Sequence, residues 1–246
     1  RVDAGSDEAQ WGVRRVNAPA AWPSNQGDGV KVAIVDTGID PEHPDLKGRV
    51  AGGYNAVDKG QPWADDHFHG THVAGIVAAE LDGKGVAGVA PKASLYAVKV
   101  LTKEGSGSIF GIFGGINWCI QNKMQVINMS LGAPQSIPFF DWVLKKAVKA
   151  GVTIVAAAGN DSGAVNYPAA YPSVIAVSAL DEEDKIAKFS SRGPQVAFIA
   201  PGVKIPSSVP LSHDGSGVKA YSGTSMATPH VAGLAALAVS KGAQGS

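Results

Sequence analysis

Short apolar runs alternate with helical patterns along the whole chain. Residues 31–35, Lys-Val-Ala-Ile-Val, form a continuous β-branched run that ends at Asp36. Residues 94–100, 126–129, 152–157 and 174–177 have the same character. Runs of this kind, without polar alternation, predict strands buried on both faces of a parallel sheet. Helical spacing appears between them, over 71–80, 108–121, 139–150 and about 225–241. In the third of these, Phe140, Val143, Leu144 and Ala147 share one stripe. Lys145, Lys146 and Lys149 follow late in the helix, and Gly151 stops it. The alternation predicts an α/β fold with an open parallel sheet. In such sheets the functional site lies at the carboxyl ends of the strands. That rule directs attention to Asp36, Ser130 and Asn160.

Composition narrows the class. The 246 residues carry 21 basic and 21 acidic side chains, a formal net charge of zero. A nucleic-acid binder normally shows a basic surplus, so none is expected as a partner. Apolar residues at 45 % against 17 % charged fit a packed core and exclude a disordered chain. No apolar stretch reaches the roughly 18 residues that a membrane helix needs; 231–239 is too short. The first eight residues contain no apolar signal core, so a soluble chain is expected, with any leader already removed. Cys119 is the single cysteine and excludes an intramolecular disulfide. Its apolar helical context predicts a buried structural thiol.

Three segments carry the chemistry. Val35-Asp36-Thr37-Gly38-Ile39-Asp40 places a carboxylate where a buried strand meets a glycine turn. His69-Gly70-Thr71-His72-Val73-Ala74-Gly75 opens one helix, and Ser222-Gly223-Thr224-Ser225-Met226-Ala227-Thr228-Pro229-His230 opens the last. They supply an acid, an imidazole and a hydroxyl. A serine hydroxyl is a poor nucleophile until a neutral imidazole takes its proton. A buried carboxylate fixes the imidazole tautomer and stabilises the cation that forms. A serine at a helix N-terminus also lies beside free backbone N–H groups, which can help hold an oxyanion.

With these motifs, and with Gly88-Val89-Ala90-Pro91, Ala97-Val98-Lys99-Val100-Leu101, Asn128-Met129-Ser130-Leu131-Gly132 and Ala156-Ala157-Ala158-Gly159-Asn160 in order, the chain resembles the bacterial subtilisin-type serine proteases. The resemblance covers about residues 11–241. It implies a three-layer α/β fold with a central, mostly parallel sheet flanked by helices, and one peptidase domain over 1–246. It implies an Asp36–His69–Ser225 triad, with Asn160 and the Ser225 N–H as oxyanion donors. Gly105, Ser106 and Gly107 on one side match strands that pair with a substrate backbone, as do Ser130, Leu131 and Gly132 on the other. Such a site recognises peptide by β-augmentation. Ala158 and Gly159 match pocket walls, and Asn166 replaces a family glycine at the pocket floor. The segment 161–166 is shorter than in common relatives, and the chain stops sooner after the last helix.

The resemblance further implies a structural calcium ion and no cofactor for the chemistry. Its ligands would be side chains of Asp7, Asp45 and Asp82 with carbonyls of Glu80, Lys84 and Val86. Carbonyls of Ala169, Tyr171 and Val174 match a second, weaker cation site. A secreted monomer acting on proteins and peptides is expected, with a pro-segment or protein inhibitors as further partners.

Blander readings compete. Taken alone, Asp36 is a turn residue and Ser225 an ordinary helix start. His69-x-x-His72 beside Asp65, Asp66 and His67 could be a metal cluster, but it lacks the i, i+4 spacing and glutamate base of zinc hydrolases. His67 reads as exposed loop, and His43, His213 and His230 match nothing catalytic. Gly105-Ser106-Gly107 lacks the context of a dinucleotide loop. The two glycosylation patterns, at Asn128 and Asn160, fall inside the proposed site and read as accidental. A silent binding domain and an esterase or peptide ligase remain the alternatives to an endopeptidase.

Overall fold

A computed structural model describes residues 10–243. Two short helices, α1 (Trp11–Arg15) and α2 (Ala18–Ala21), precede the sheet. Seven strands follow: β1 (Lys31–Asp36), β2 (Val50–Asn55), β3 (Ser94–Lys99), β4 (Val126–Met129), β5 (Thr153–Ala157), β6 (Ile175–Leu180) and β7 (Val196–Pro201). They pair in the order β2-β3-β1-β4-β5-β6-β7, every pair parallel. A separate antiparallel hairpin, β8 (Ile205–Ser208) with β9 (Val218–Tyr221), lies after the sheet.

The burial of β1 explains its composition. Val32 and Ile34 enter one apolar core, Ala33 and Val35 the other, and all four are fully buried. A strand covered on both faces needs apolar residues at every position. The first core receives α3 (His69–Ala78) and α6 (Thr224–Ser240), the second α4 (Ile109–Gln121) and α5 (Pro138–Lys149). Three layers result, as the resemblance implied. α6 is buried around most of its circumference, from Thr224 to Leu237, which is why its sequence is Ala-rich rather than amphipathic.

The strand order places the site. Strand β1 is central, with β3 on one side and β4 on the other. The chain leaves β1 toward the β2–β3 side and later crosses to β4. A crevice forms where the order reverses, at the carboxyl ends. Asp36 ends β1, and Ser130 follows β4 directly.

Candidate functional site

The sequence builds the Asp36–His69 contact from a turn and a helix start. Gly38 adopts φ +113°, in the region that favours glycine. Gly70 lies so close to the Gly38 carbonyl that a Cβ there would collide with it. Phe68 precedes α3 and offers no capping side chain. Asp65 performs that task from the approach loop. Its Oδ2 accepts from Thr71 N (3.0 Å) and Thr71 Oγ1 (2.6 Å), while Oδ1 accepts from Thr37 Oγ1 and His67 N, both at 2.9 Å. Thr37 Oγ1 in turn accepts the Gly70 N–H at 2.9 Å. The acid's turn and the histidine's helix are thereby bolted together.

Within this frame His69 Nδ1 lies 2.8 Å and 2.9 Å from the two Asp36 carboxylate oxygens. Asp36 is fully buried. An Nδ1–H donated to a carboxylate leaves Nε2 as the basic nitrogen. Burial pushes the His69 pKa down. The Asp36 charge and hydrogen bond, with the Asp65 charge behind them, more than offset this and raise it above 6.5.

Ser225 is the second residue of α6. Its Oγ donates to the Ser130 carbonyl at 3.2 Å. No hydrogen bond from it to His69 occurs among the described residues, and such contacts are often loose before substrate binds. Asn160 is fixed by its other end. Asn160 Oδ1 accepts from Thr224 N and Thr224 Oγ1, both at 2.9 Å, which leaves Nδ2 free to donate. A Cβ on Gly223 would lie 3.7 Å from both Asn160 Nδ2 and Ser225 N, so these two donors flank one small space. An arrangement with a paired imidazole, a helix-start hydroxyl and two convergent N–H donors can perform acyl transfer.

A cleft of about 690 Å³ runs beside His69. Gly105, Ser106 and Gly107 line one wall; Ser130, Leu131 and Gly132 line the other. Leu101, Ile109, Ile112, Ile137 and Phe140 give it an apolar end. Asn166 and Tyr167 lie behind Gly132. Ala158 is fully buried, its N–H bonded to Val177 and its carbonyl to Asn166, so it offers a substrate little beyond support. Gly159, at φ +110°, makes room for the Asn166 amide.

Several neighbours escaped the sequence reading. His67 is not merely exposed loop: it lines the cleft, and its Nδ1 accepts the His69 N–H at 3.2 Å. Asp161 accepts from Asn166 Nδ2 at 2.9 Å, so a carboxylate borders the pocket floor. Lys99 is buried and its ammonium donates to Thr37 O, Asp66 Oδ1 and Leu101 O at 2.7–2.9 Å. The motif around Lys99 was visible, but nothing in it revealed those partners. His72 and His230 are fully buried, and burial pushes each down to about 4, which suits neutral core imidazoles. Cys119 is fully buried, and burial pushes its thiol far up, so it is inert.

The calcium expectation can be weighed on donor chemistry. Asp7 lies outside the described residues. Asp45 is buried, and burial raises its pKa, with the Asp82 charge adding to the rise. Its Oδ2 accepts the Val86 N–H at 3.0 Å, and Gly85 of the same loop presses on the carboxylate. No ion pair of Asp45 is present among the described residues. Asp82 Oδ1 accepts Lys84 N, and the Glu80 side chain turns to Arg49 instead, leaving Glu80 only a carbonyl to offer. Two carboxylates and loop carbonyls are the hard oxygen donors that suit calcium. No cluster of three or more His, Cys, Asp or Glu side chains occurs among the described residues, which leaves the loop carbonyls to complete any such shell. Of the weaker set, the Tyr171 carbonyl already accepts Val174 N at 3.0 Å.

Comparison with known proteins then decides the family. A profile described as Peptidase_S8, Subtilase family, matches residues 27–246. The chain belongs to the subtilase family. It is 49 % identical over 238 residues to Subtilisin amylosacchariticus of Bacillus subtilis subsp. amylosacchariticus, covering 94 % of this chain and 61 % of that protein. It is 48 % identical to Subtilisin of Bacillus pumilus, covering 84 % of that protein, and 44 % identical to an intracellular serine protease of Paenibacillus polymyxa. This subtilase thus spans about three-fifths of the length of the first of these relatives. Its fold matches the crystal structure of a cold adapted subtilisin-like serine proteinase, with TM-score 0.82 and 37 % identity over 89 % of this chain and 78 % of that one.

Proposed function

We propose that this subtilase is a serine endopeptidase that hydrolyses proteins and peptides through an acyl-enzyme. The observation that carries the reading is the His69 ring held on a buried Asp36, with Ser225 and Asn160 converging on one space. Peptide lies extended between 105–107 and 130–132, its backbone paired with both edges. The Ser225 Oγ–H leaves the Ser130 carbonyl and turns to His69 Nε2, which takes the proton as Oγ attacks the scissile carbonyl. The oxyanion is held by Asn160 Nδ2 and the Ser225 N–H. His69 returns the proton to the leaving amine, and the ester intermediate is then hydrolysed by water activated in the same way.

The pocket between 130–132 and 166 takes a large apolar or aromatic side chain before the scissile bond, with Trp disfavoured by Asn166 at the floor. Asp161 adds discrimination against acidic side chains there. Leu101, Ile109, Ile112 and Leu131 take an apolar side chain three residues further upstream. In a peptide-library digest, Leu, Met, Phe and Tyr dominate at the cleaved position and Asp and Glu are absent; frequent cleavage after acidic residues contradicts the map. Ser225→Ala abolishes turnover of peptide anilide and ester alike, whereas a variant that still cleaves anilide overturns the reading. A calcium ion on Asp45, Asp82 and the carbonyls of Glu80, Lys84 and Val86 is structural and takes no part in the chemistry. The enzyme is read as a secreted monomer, although its relatives include both extracellular and intracellular proteases.

A further inference from the structure

We infer that the side chains of Asn128 and Ser130 form a positioning relay that holds the Ser225 backbone, a task set by Pro229. The inference rests on reading Ser225 as the nucleophile. In a regular helix the carbonyl of residue 225 accepts the N–H of residue 229. Pro229 has no N–H, and it stands at the sixth position of α6, beyond the first turn where proline is harmless. The carbonyl of the nucleophilic residue is therefore denied its helix partner.

Ser130 supplies the replacement. Its Oγ donates to the Ser225 carbonyl at 2.9 Å. The direction of that bond is enforced from behind. Asn128 Nδ2 donates to Ser130 Oγ at 3.0 Å, which commits the single hydroxyl proton of Ser130 to Ser225. Ser130 also receives the Ser225 Oγ–H on its own carbonyl at 3.2 Å, so the two residues grip each other twice. On the other side of Ser225, Thr224 is tied to Asn160. Ser225 is thus clamped between its two neighbouring segments, and its N–H and Oγ directions are set by both.

Asn128 adds an independent sign. It is fully buried within β4, and its Oδ1 has no hydrogen-bond partner among the described residues. The amide stands with Nδ2, not Oδ1, toward the Ser130 hydroxyl, the orientation the relay requires.

Ser130 and Asn128 touch no reacting atom through these side-chain atoms, so they are positioning residues. The test is a double-mutant cycle, with rates normalised by active-site titration so that only folded enzyme counts. Ser130→Ala is expected to lower kcat about tenfold while KM stays within about twofold. Pro229→Ala restores an N–H at position 229 for the Ser225 carbonyl. In that background Ser130→Ala is expected to cost less than about threefold. Asn128→Ala, which keeps the Ser130 hydroxyl but frees its proton, is expected to lower kcat about threefold, again less with Ala at position 229. An equal loss in both backgrounds, a change confined to KM, or unaltered kcat in both single variants overturns the relay. Persistent turnover in Ser225→Ala instead overturns the reading on which it rests.

Discussion

At the scale of residues, the site depends on which end of each polar group is already occupied. Asn160 spends its oxygen on Thr224, which leaves its amide to donate; in the proposed role it would meet charge that exists only in the tetrahedral state. Asn160→Leu should therefore lower kcat roughly 10²–10³-fold with KM little changed. That magnitude is the one known for loss of an oxyanion donor in subtilisin, so only the split between kcat and KM is an independent expectation here. Normal kcat with raised KM would mean that Asn160 merely binds substrate. The His69 pKa governs the pH profile. It is raised above 6.5, because Asp36 and Asp65 outweigh burial. A raised pKa keeps the imidazole protonated, and unable to act as base, to a higher pH. The acid limb of kcat/KM should thus lie above pH 6.5, with activity sustained into the alkaline range. Asp65→Asn, which removes one supporting charge, should move that limb downward; an upward move contradicts the assignment.

At the scale of elements, the continuous apolar strands were legible and the edges were not. Residues 31–36, 94–99, 126–129 and 153–157 form the middle of the sheet, where burial on both faces demands an unbroken apolar run. Strand β2, Val-Ala-Gly-Gly-Tyr-Asn, lies at one edge, half exposed and weakened by two glycines, and carries no such run. Strand β7 closes the other edge, with Phe198 and Ile199 exposed. The hairpin β8–β9 was unreadable because its four-residue strands are short and carry no continuous apolar run. Helix α3 begins at His69, two residues before the expected start, because its cap comes from Asp65 in the preceding loop. The loop 80–86 belongs to this scale as well. Ordering it costs roughly 1–2 kcal/mol per residue, and it buries little apolar surface in return. A bound ion would offset that cost, adding about 2.7 kcal/mol when free calcium is 100 times its dissociation constant. Chelator should accordingly lower the melting temperature and calcium restore it, while Asp82→Ala should lose most of the response and keep kcat. Equal thermal inactivation in excess chelator and in millimolar calcium would show that the loop binds no ion.

At the scale of the whole molecule, the proposed triad draws on three distant parts of the chain, with Asp36 at the end of β1, His69 at the start of α3 and Ser225 at the start of α6. The motifs singled out the residues proposed at 36, 69, 160 and 225, and the resemblance implied their roles. What holds them was not nameable. Asp65, Thr37, Thr224 and Asn128 act through contacts that depend on tertiary approach, and a single sequence carries no mark of them. Helix α6 shows the difference plainly. Taken alone in the sequence, Ser225 is an ordinary helix start, yet α6 threads the larger core and brings Ser225 to Ser130, just after β4. The central claim is that Ser225 alone carries the acyl group. Treatment with a serine-directed phosphonyl fluoride, followed by peptide mapping in a mass spectrometer, tests it most directly. The account predicts one label per molecule, on Ser225, with loss of peptidase activity in step with labelling. Label on another residue, or full activity after Ser225 is modified, would contradict it.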